Sequence, residues 1–369
     1  MMPEVYIHAP KMSQFGKHST TVLELSLNTA KKSLSEFQNH KIEFLIFTSF
    51  CPENYTGEYH IPNRIAEGLG LTEIFCLRSE TASSSGASAF HLACNLIESG
   101  RFESGMVVAT EIMSKLDREA NNLLLGKVLS PKQISLGMSM AQGGALVANR
   151  YMHEFGYTKK DLFALSKKLH DNGCHNPNAQ IQKNISWENY SKSPMIASPL
   201  CLYDISPLSD GSVSLIVSKN KSKVKVRGLG YGTAAVDSSI INNSFPASNL
   251  AFDKAYKDAK LNPKDIRVAE LHDAFTIFEI IGMEDSGMFE KGKGLKSVVN
   301  GETHPDNRLP INPSGGLKSR GHPVGASGLA QIAEIIRFWN KRPELNIGLT
   351  HSIGGLATNN FVTILEHLS

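Results

Sequence analysis

Asn312-Pro-Ser-Gly-Gly-Leu-Lys-Ser-Arg-Gly-His322-Pro-Val-Gly-Ala-Ser-Gly328 sets one histidine in a glycine-padded turn that opens an apolar helix. The glycines let backbone and substrate approach closely, and the start of a helix offers unpaired N–H donors. Chemistry on an anion suits such a place. A second turn of the same kind, Glu80-Thr-Ala-Ser-Ser-Ser-Gly-Ala-Ser-Ala-Phe90, offers a serine, Ser83, in place of the histidine.

The two turns read as copies. Gly86-Ala87-Ser88 echoes Gly325-Ala326-Ser327, and Gly143-Gly144 echoes Gly354-Gly355 at a different offset. Unequal offsets exclude a solenoid of fixed period and fit a duplicated domain carrying unequal insertions. Strand-like runs such as Ile42–Thr48, Met106–Thr110 and Ser212–Ser218 alternate with helical patterns such as Ala89–Glu98, which predicts a layered α/β architecture. The basic stretch Asn220-Lys-Ser-Lys-Val-Lys-Val226 reads as a solvated linker between the halves, and Lys291-Gly-Lys-Gly-Leu-Lys296 as a charged loop.

Composition narrows the function classes. The 369 residues are long enough for about two domains and a core that needs no staples. A net charge of +3 carries no nucleic-acid-binding electrostatics, and no window approaches a membrane helix. Met1-Met-Pro-Glu-Val-Tyr6 has neither the basic start nor the apolar run of a signal peptide, so a soluble, cytoplasmic protein is expected. Five cysteines without paired spacing predict free thiols. His170, Cys174 and His175 match no zinc spacing and read as a surface loop, so no metal is expected. Neither a GxGxxG nor a Walker loop is present, which leaves nicotinamide and ATP chemistry without support.

Four segments, Glu80–Ala89, Ser206–Leu215, Leu271–Glu279 and Gly315–Gly328, stand in the order found in the thiolase superfamily. The chain resembles that family, in the branch of sterol-carrier-protein-type and archaeal acetyl-CoA acetyltransferases. The resemblance implies a five-layered αβαβα fold of two duplicated halves: 1–115 with 206–221, and 222–369. Residues 116–205 would form a loop domain covering the site and helping to bind coenzyme A. It implies a substrate that is an acyl-CoA thioester, no other cofactor, and a homodimer, with a small OB-fold, zinc-ribbon protein as a possible further partner.

The same resemblance distributes the roles. His322 matches the base, His272 the group that stabilises a thioester-derived enolate, and Ser206 a residue lining the pantetheine tunnel. Gly354 would give an N–H to a second oxyanion hole beside the N–H of Ser83. Asp273 reads as a supporting carboxylate, Cys94 as a packing residue, and Tyr55, Tyr59 and His60 receive no role. The family's nucleophilic cysteine is Ser83 here, and the places where a second catalytic cysteine occurs hold Ser352 and Ala274. A serine hydroxyl has no useful anionic fraction at neutral pH and needs a base at the moment of attack. Three functions follow: Claisen-type acyl transfer through Ser83 with His322 as base, retro-aldol cleavage of a CoA thioester without an acyl-enzyme, or a catalytically weak acyl-CoA-binding subunit.

Overall fold

The computed structural model describes residues 4–38, 40–235 and 242–368, so the start of the Met1–Tyr6 segment lies outside the described residues. The first half contains β1 (Tyr6–Met12), α1 (Val22–Ser35), β2 (Phe44–Thr48), α2 (Ile61–Gly68), β3 (Phe75–Ser79), α3 (Ser85–Glu98) and β4 (Ser104–Ile112). An insertion with α4 (Met140–Phe155) and α5 (Lys159–Cys174) precedes β5 (Asp210–Ser218). The second half runs through β6 (Val224–Thr233), α6 (Pro246–Ala259), β7 (Val268–Glu270), α7 (Thr276–Asp285), α8 (Gly316–Arg320), α9 (Ser327–Trp339), β8 (Ile347–Gly354) and β9 (Asn359–His367).

Nine strands join in the order β3-β2-β4-β5-β1-β6-β9-β8-β7. Reading outward from the β1–β6 junction, the two flanks repeat one pattern. In each, the first strand pairs antiparallel with the last, the last antiparallel with the one before it, and the interior pair runs parallel. The second flank lacks only an outermost strand, reduced to the parallel bridge Ala269↔Ile311. The junction itself is two pairs, Tyr6↔Lys225 and Ile7↔Val224.

Alternation along the strands builds the layers. Leu45, Phe47, Met106 and Val108 face α1 and α2 through Leu25 and Ile65. Phe44, Ile46, Val107 and Ala109 face the opposite way, against Phe90 and Ala93 of α3 and Leu329 and Ile332 of α9. Thus α3 and α9 lie between the two flanks of the sheet, and α6 covers the far face of the second flank with Ala251, Phe252 and Ala255. This is the expected αβαβα order. A glycine stripe on β6 sets the last spacing: a Cβ on Gly230 would lie 1.9 Å from the Ala251 carbonyl oxygen, and one on Gly232 2.1 Å from that of Ala247.

Two sequence readings change. Gly143 and Gly144 are not the counterpart of Gly354-Gly355: they lie inside helix α4, where their missing side chains admit Leu356 and Phe275. A glycine pair alone does not separate a strand end from a helix face that must approach a neighbour. The insertion, expected as loops, is largely helical, because side-chain caps start its helices: Ser139 and Gln142 form a reciprocal capping box at α4. His170 and Cys174 accordingly sit on helix α5, with His170 buried and its Nδ1 2.8 Å from the Lys183 carbonyl. All five cysteines are free. Among the described residues no cluster suits a metal ion and no helix is long and apolar enough to cross a membrane.

Candidate active site

The glycine turns meet. A Cβ on Gly86 would stand 2.6 Å from the Leu329 nitrogen and 3.1 Å from the Gly325 oxygen, and one on Gly328 2.6 Å from the Ala87 nitrogen. Backbone therefore touches backbone where α3 and α9 begin, and the positive ends of two helix dipoles share one place. Ser83 stands one residue before Ser84, the N-cap of α3, and next to Ala82, whose φ of 52° puts a non-glycine residue in the left-handed region. Such a conformation costs ~1–3 kcal/mol and must be held by its surroundings. Here the hydroxyl of Ser84 donates to the Thr81 carbonyl at 2.8 Å, and that of Ser85 to the Ala82 carbonyl at 2.6 Å.

Strand β8 brings its end to the same turn. The Ser352 hydroxyl donates to the Ser83 carbonyl at 3.5 Å, and a Cβ on Gly354 would lie 2.4 Å from the Thr81 oxygen. Strand alternation turns His351 to the other face, against Ser248 and Asn360. Ser206 arrives through backbone: its N–H donates to the Ala274 carbonyl at 2.9 Å, and Leu208 bridges His322. That segment stitches the His272 loop to the His322 turn.

His272 and His322 stand edge to face, with ring centroids 5.4 Å apart. Their partners fix their protons. Nδ1 of His272 accepts the Ile353 N–H at 3.3 Å, so the ring proton resides on Nε2 and that nitrogen is a donor. Nδ1 of His322 is 2.6 Å from the Ser327 hydroxyl, whose single proton goes to the Pro323 carbonyl at 2.9 Å. With the Ser327 proton on that carbonyl, Nδ1 of His322 is the donor to Ser327 and Nε2 is left as a bare base. Burial and then the Arg320 charge push His322 down to about 3, and burial, followed by the charges of His322, His351 and Arg320, holds His272 well below the usual imidazole range. Both rings are neutral at physiological pH. One is a hydrogen-bond donor and the other a proton acceptor.

Residues not singled out in the sequence hold the pair in place. Ser209 accepts the His322 N–H at 2.9 Å, and the Glu111 carboxylate takes the N–H groups of Gly325 at 2.8 Å and Phe50 at 2.7 Å. Asn312 accepts the Leu271 N–H at 2.7 Å, while Glu270 receives the N–H and hydroxyl of Ser314 at 3.0 and 2.7 Å. Asp273, expected as a supporting carboxylate, takes the N–H groups of Leu317 and Lys318 at the start of α8. A Cβ on Gly316 would strike it at 2.3 Å. Cys94 is fully buried on α3, as its place on the apolar face suggested. The bond formed by the His322 ring goes to Ser327, not to Ser83.

The comparisons agree with this architecture. A family model described as the thiolase N-terminal domain matches residues 5–221, and one described as thiolase C-terminal domain-like matches 236–367. An acetyl-CoA acetyltransferase of Methanothermobacter thermautotrophicus is 35% identical over 80% of this chain and 81% of its own length. Sterol carrier protein 2 of Bos taurus is 28% identical over 93% of this chain and 68% of its own. Among solved structures, an Ltp2-ChsH2(DUF35) aldolase superposes with a TM-score of 0.83 at 22% identity, covering 99% of this chain and 98% of that one.

Proposed function

The chain belongs to the thiolase family, and from that premise we propose that it makes or breaks the carbon–carbon bond beside the carbonyl of a coenzyme A thioester, its chemical step being retro-aldol cleavage of a β-hydroxyacyl-CoA. The observation that carries this is the division of labour between the two imidazoles. Nε2 of His322 takes the β-hydroxyl proton. The bond between the α- and β-carbons breaks, its electron pair moves onto the thioester as an enolate, and the β-carbon leaves as an aldehyde or ketone. Nε2–H of His272 stabilises the enolate oxygen, and the proton on His322 returns to the α-carbon. One base serves the whole cycle.

Claisen-type acyl transfer needs more: activation of Ser83 and a second base for the α-proton. The positions for that base hold Ser352 and Ala274, neither of which titrates in the useful range. Acyl transfer stays as a second reading because Ser83 lies just before the N-cap of a fourteen-residue helix and because the relative at 35% identity is named an acetyltransferase. Gly354 would then serve the oxyanion hole with the Ser83 N–H, and Ser206 would line the pantetheine path in either reading. No metal or other cofactor enters the proposal. A homodimer accompanies it, and so does a second small protein, for which we propose the OB-fold, zinc-ribbon type; the two components named in the aldolase complex support a second component. Five free thiols support a cytoplasmic setting.

The test is product analysis by mass spectrometry after incubation with β-hydroxyacyl-CoA esters. Cleavage yields a shortened acyl-CoA and a carbonyl compound. Ser83→Ala retains activity, while His322→Ala and His272→Ala each lower it ~10²–10⁴-fold. A covalent acyl group on the Ser83 peptide, with activity abolished in Ser83→Ala, would replace this reading by acyl transfer. Acyl-CoA binding without turnover until a second polypeptide is added would make the chain a binding subunit.

A further inference from the structure

Lys168 and Asn172 on α5 and Asn176 just beyond its end follow one another at four-residue spacing, and all three are buried. Each donates to a main-chain carbonyl of the segment that leads to His322. Lys168 Nζ reaches the Ile311 oxygen at 3.0 Å, Asn172 Nδ2 that of Asn312 at 2.9 Å, and Asn176 Nδ2 that of Ser314 at 3.0 Å. Side chains four apart share a face of a helix, and the chain beyond α5 continues the line. The insertion grips this segment along one edge.

Asn312 carries the grip onward. It is fully buried at a φ of 51°, and its N–H donates to the Ala269 carbonyl at 2.8 Å. Its side-chain oxygen accepts the Leu271 N–H at 2.7 Å, and its Nδ2 donates to Glu279 Oε2 at 2.8 Å. A main-chain N–H can only donate and an ionised carboxylate can only accept, so the amide has one orientation. Glu279 is held in turn by Lys168 Nζ on its other oxygen. The Asn312 side chain therefore closes a ring across both ends of the Leu271–Glu279 segment, and His272 is part of that ring.

We propose that Asn312 is a positioning residue of His272: locked in one orientation by the Lys168–Glu279 pair, it holds the Leu271 main chain so that the His272 ring meets the Ile353 N–H and aims Nε2–H into the site. The insertion thereby sets the direction of the enolate-stabilising donor without touching it. A misdirected donor loses its hold on the transition state, while binding of the ground state changes little. The inference rests on the reading of His272 as that donor, but its first readout requires no turnover.

The first measurement is nitrogen NMR of the imidazole rings in substrate-free protein labelled at histidine, with His272 assigned by its loss in His272→Gln. In the wild type His272 shows the single Nε2–H form. Asn312→Gly keeps the left-handed backbone and deletes only the side chain. In it the His272 signals move to a mixture of the two tautomers, and kcat of the cleavage falls about 10–100-fold with KM nearly unchanged. Asn312→Asp sets two carboxylates against each other and has the same effects. Adding Glu279→Gln to Asn312→Asp exchanges donor and acceptor: the new carboxylate takes both the Leu271 N–H and the new amide, and Lys168 still finds an oxygen. Both readouts then return toward the wild type, and the swap keeps the test open if Asn312→Asp alone fails to fold. A wild-type ring spectrum and kcat in Asn312→Gly, or a double variant no better than Asn312→Asp, would overturn the proposal. The expected tautomer changes in protein that gives no cleavage would instead sink only the reaction assigned above.

Discussion

Ser83 is the residue at which this chain departs from the cysteine chemistry of its family. If the surrounding apparatus is intact, restoring the thiol restores the family reaction: Ser83→Cys gains thiolysis of acetoacetyl-CoA in the presence of free CoA, read as loss of the substrate's enolate absorbance and appearance of acetyl-CoA. The helix start favours the thiolate that a hydroxyl cannot supply. A variant that folds but shows no thiolysis would mean that the missing second thiol, at Ser352 or Ala274, is also required. The turns of His322 and Ser83 were legible in the sequence because glycine spacing announces close backbone approach, whereas His272 was reached only through the resemblance to the family. Arg320 and Glu270 were not legible, because a charge is buried only through partners fifty residues away in the chain. Ser327, quoted in the motif, gave no sign that its hydroxyl would decide which nitrogen of His322 carries the proton.

At the scale of elements, glycines decide where helices and strands touch. On β6 the stripe Gly228, Gly230 and Gly232 lies against Ala255, Ala251 and Ala247 of α6. The clash of a Cβ at Gly230 would be with a carbonyl oxygen, which no rotamer change relieves. Gly230→Ala should destabilise the protein by about 3 kcal/mol, measured as a lower midpoint of urea unfolding at unchanged slope. A change within experimental error would show that α6 can lift from the sheet. The strands themselves were readable from β-branched and aromatic runs. The helices of the insertion were not, since their signals are polar caps rather than apolar periodicity, and the glycine pair in α4 imitated a motif that belongs to a strand end.

For the whole molecule, the joint between halves matters most. His91 on α3 reaches across to the second half, where its Nε2 is 3.0 Å from the Thr363 hydroxyl and its ring meets Phe361 edge to face. Burial pushes this imidazole down to about 3, well under its unfolded value of about 6.5. The native state then binds fewer protons than the unfolded one, so this group's contribution is intact above pH 6.5 and falls as pH drops from there toward 3. At pH 5.5 the loss is about 1.4 kcal/mol. His91→Gln should therefore lose less stability than the wild type between pH 7 and 5.5, whatever its stability at neutral pH. Identical pH slopes from denaturant unfolding at the two values would refute it.

The contact of Gly86 with Leu329, and of Gly328 with Ala87, has one more consequence. Main chain resting on main chain acts as a hard stop, whereas side-chain packing settles wherever the surrounding volumes allow. Drift in the apolar layers can rearrange methyl groups over generations without widening the gap between the two glycine turns. Divergence should accordingly be tolerated deep in both cores and punished at two hydrogens: those that take the place of a side chain on Gly86 and Gly328.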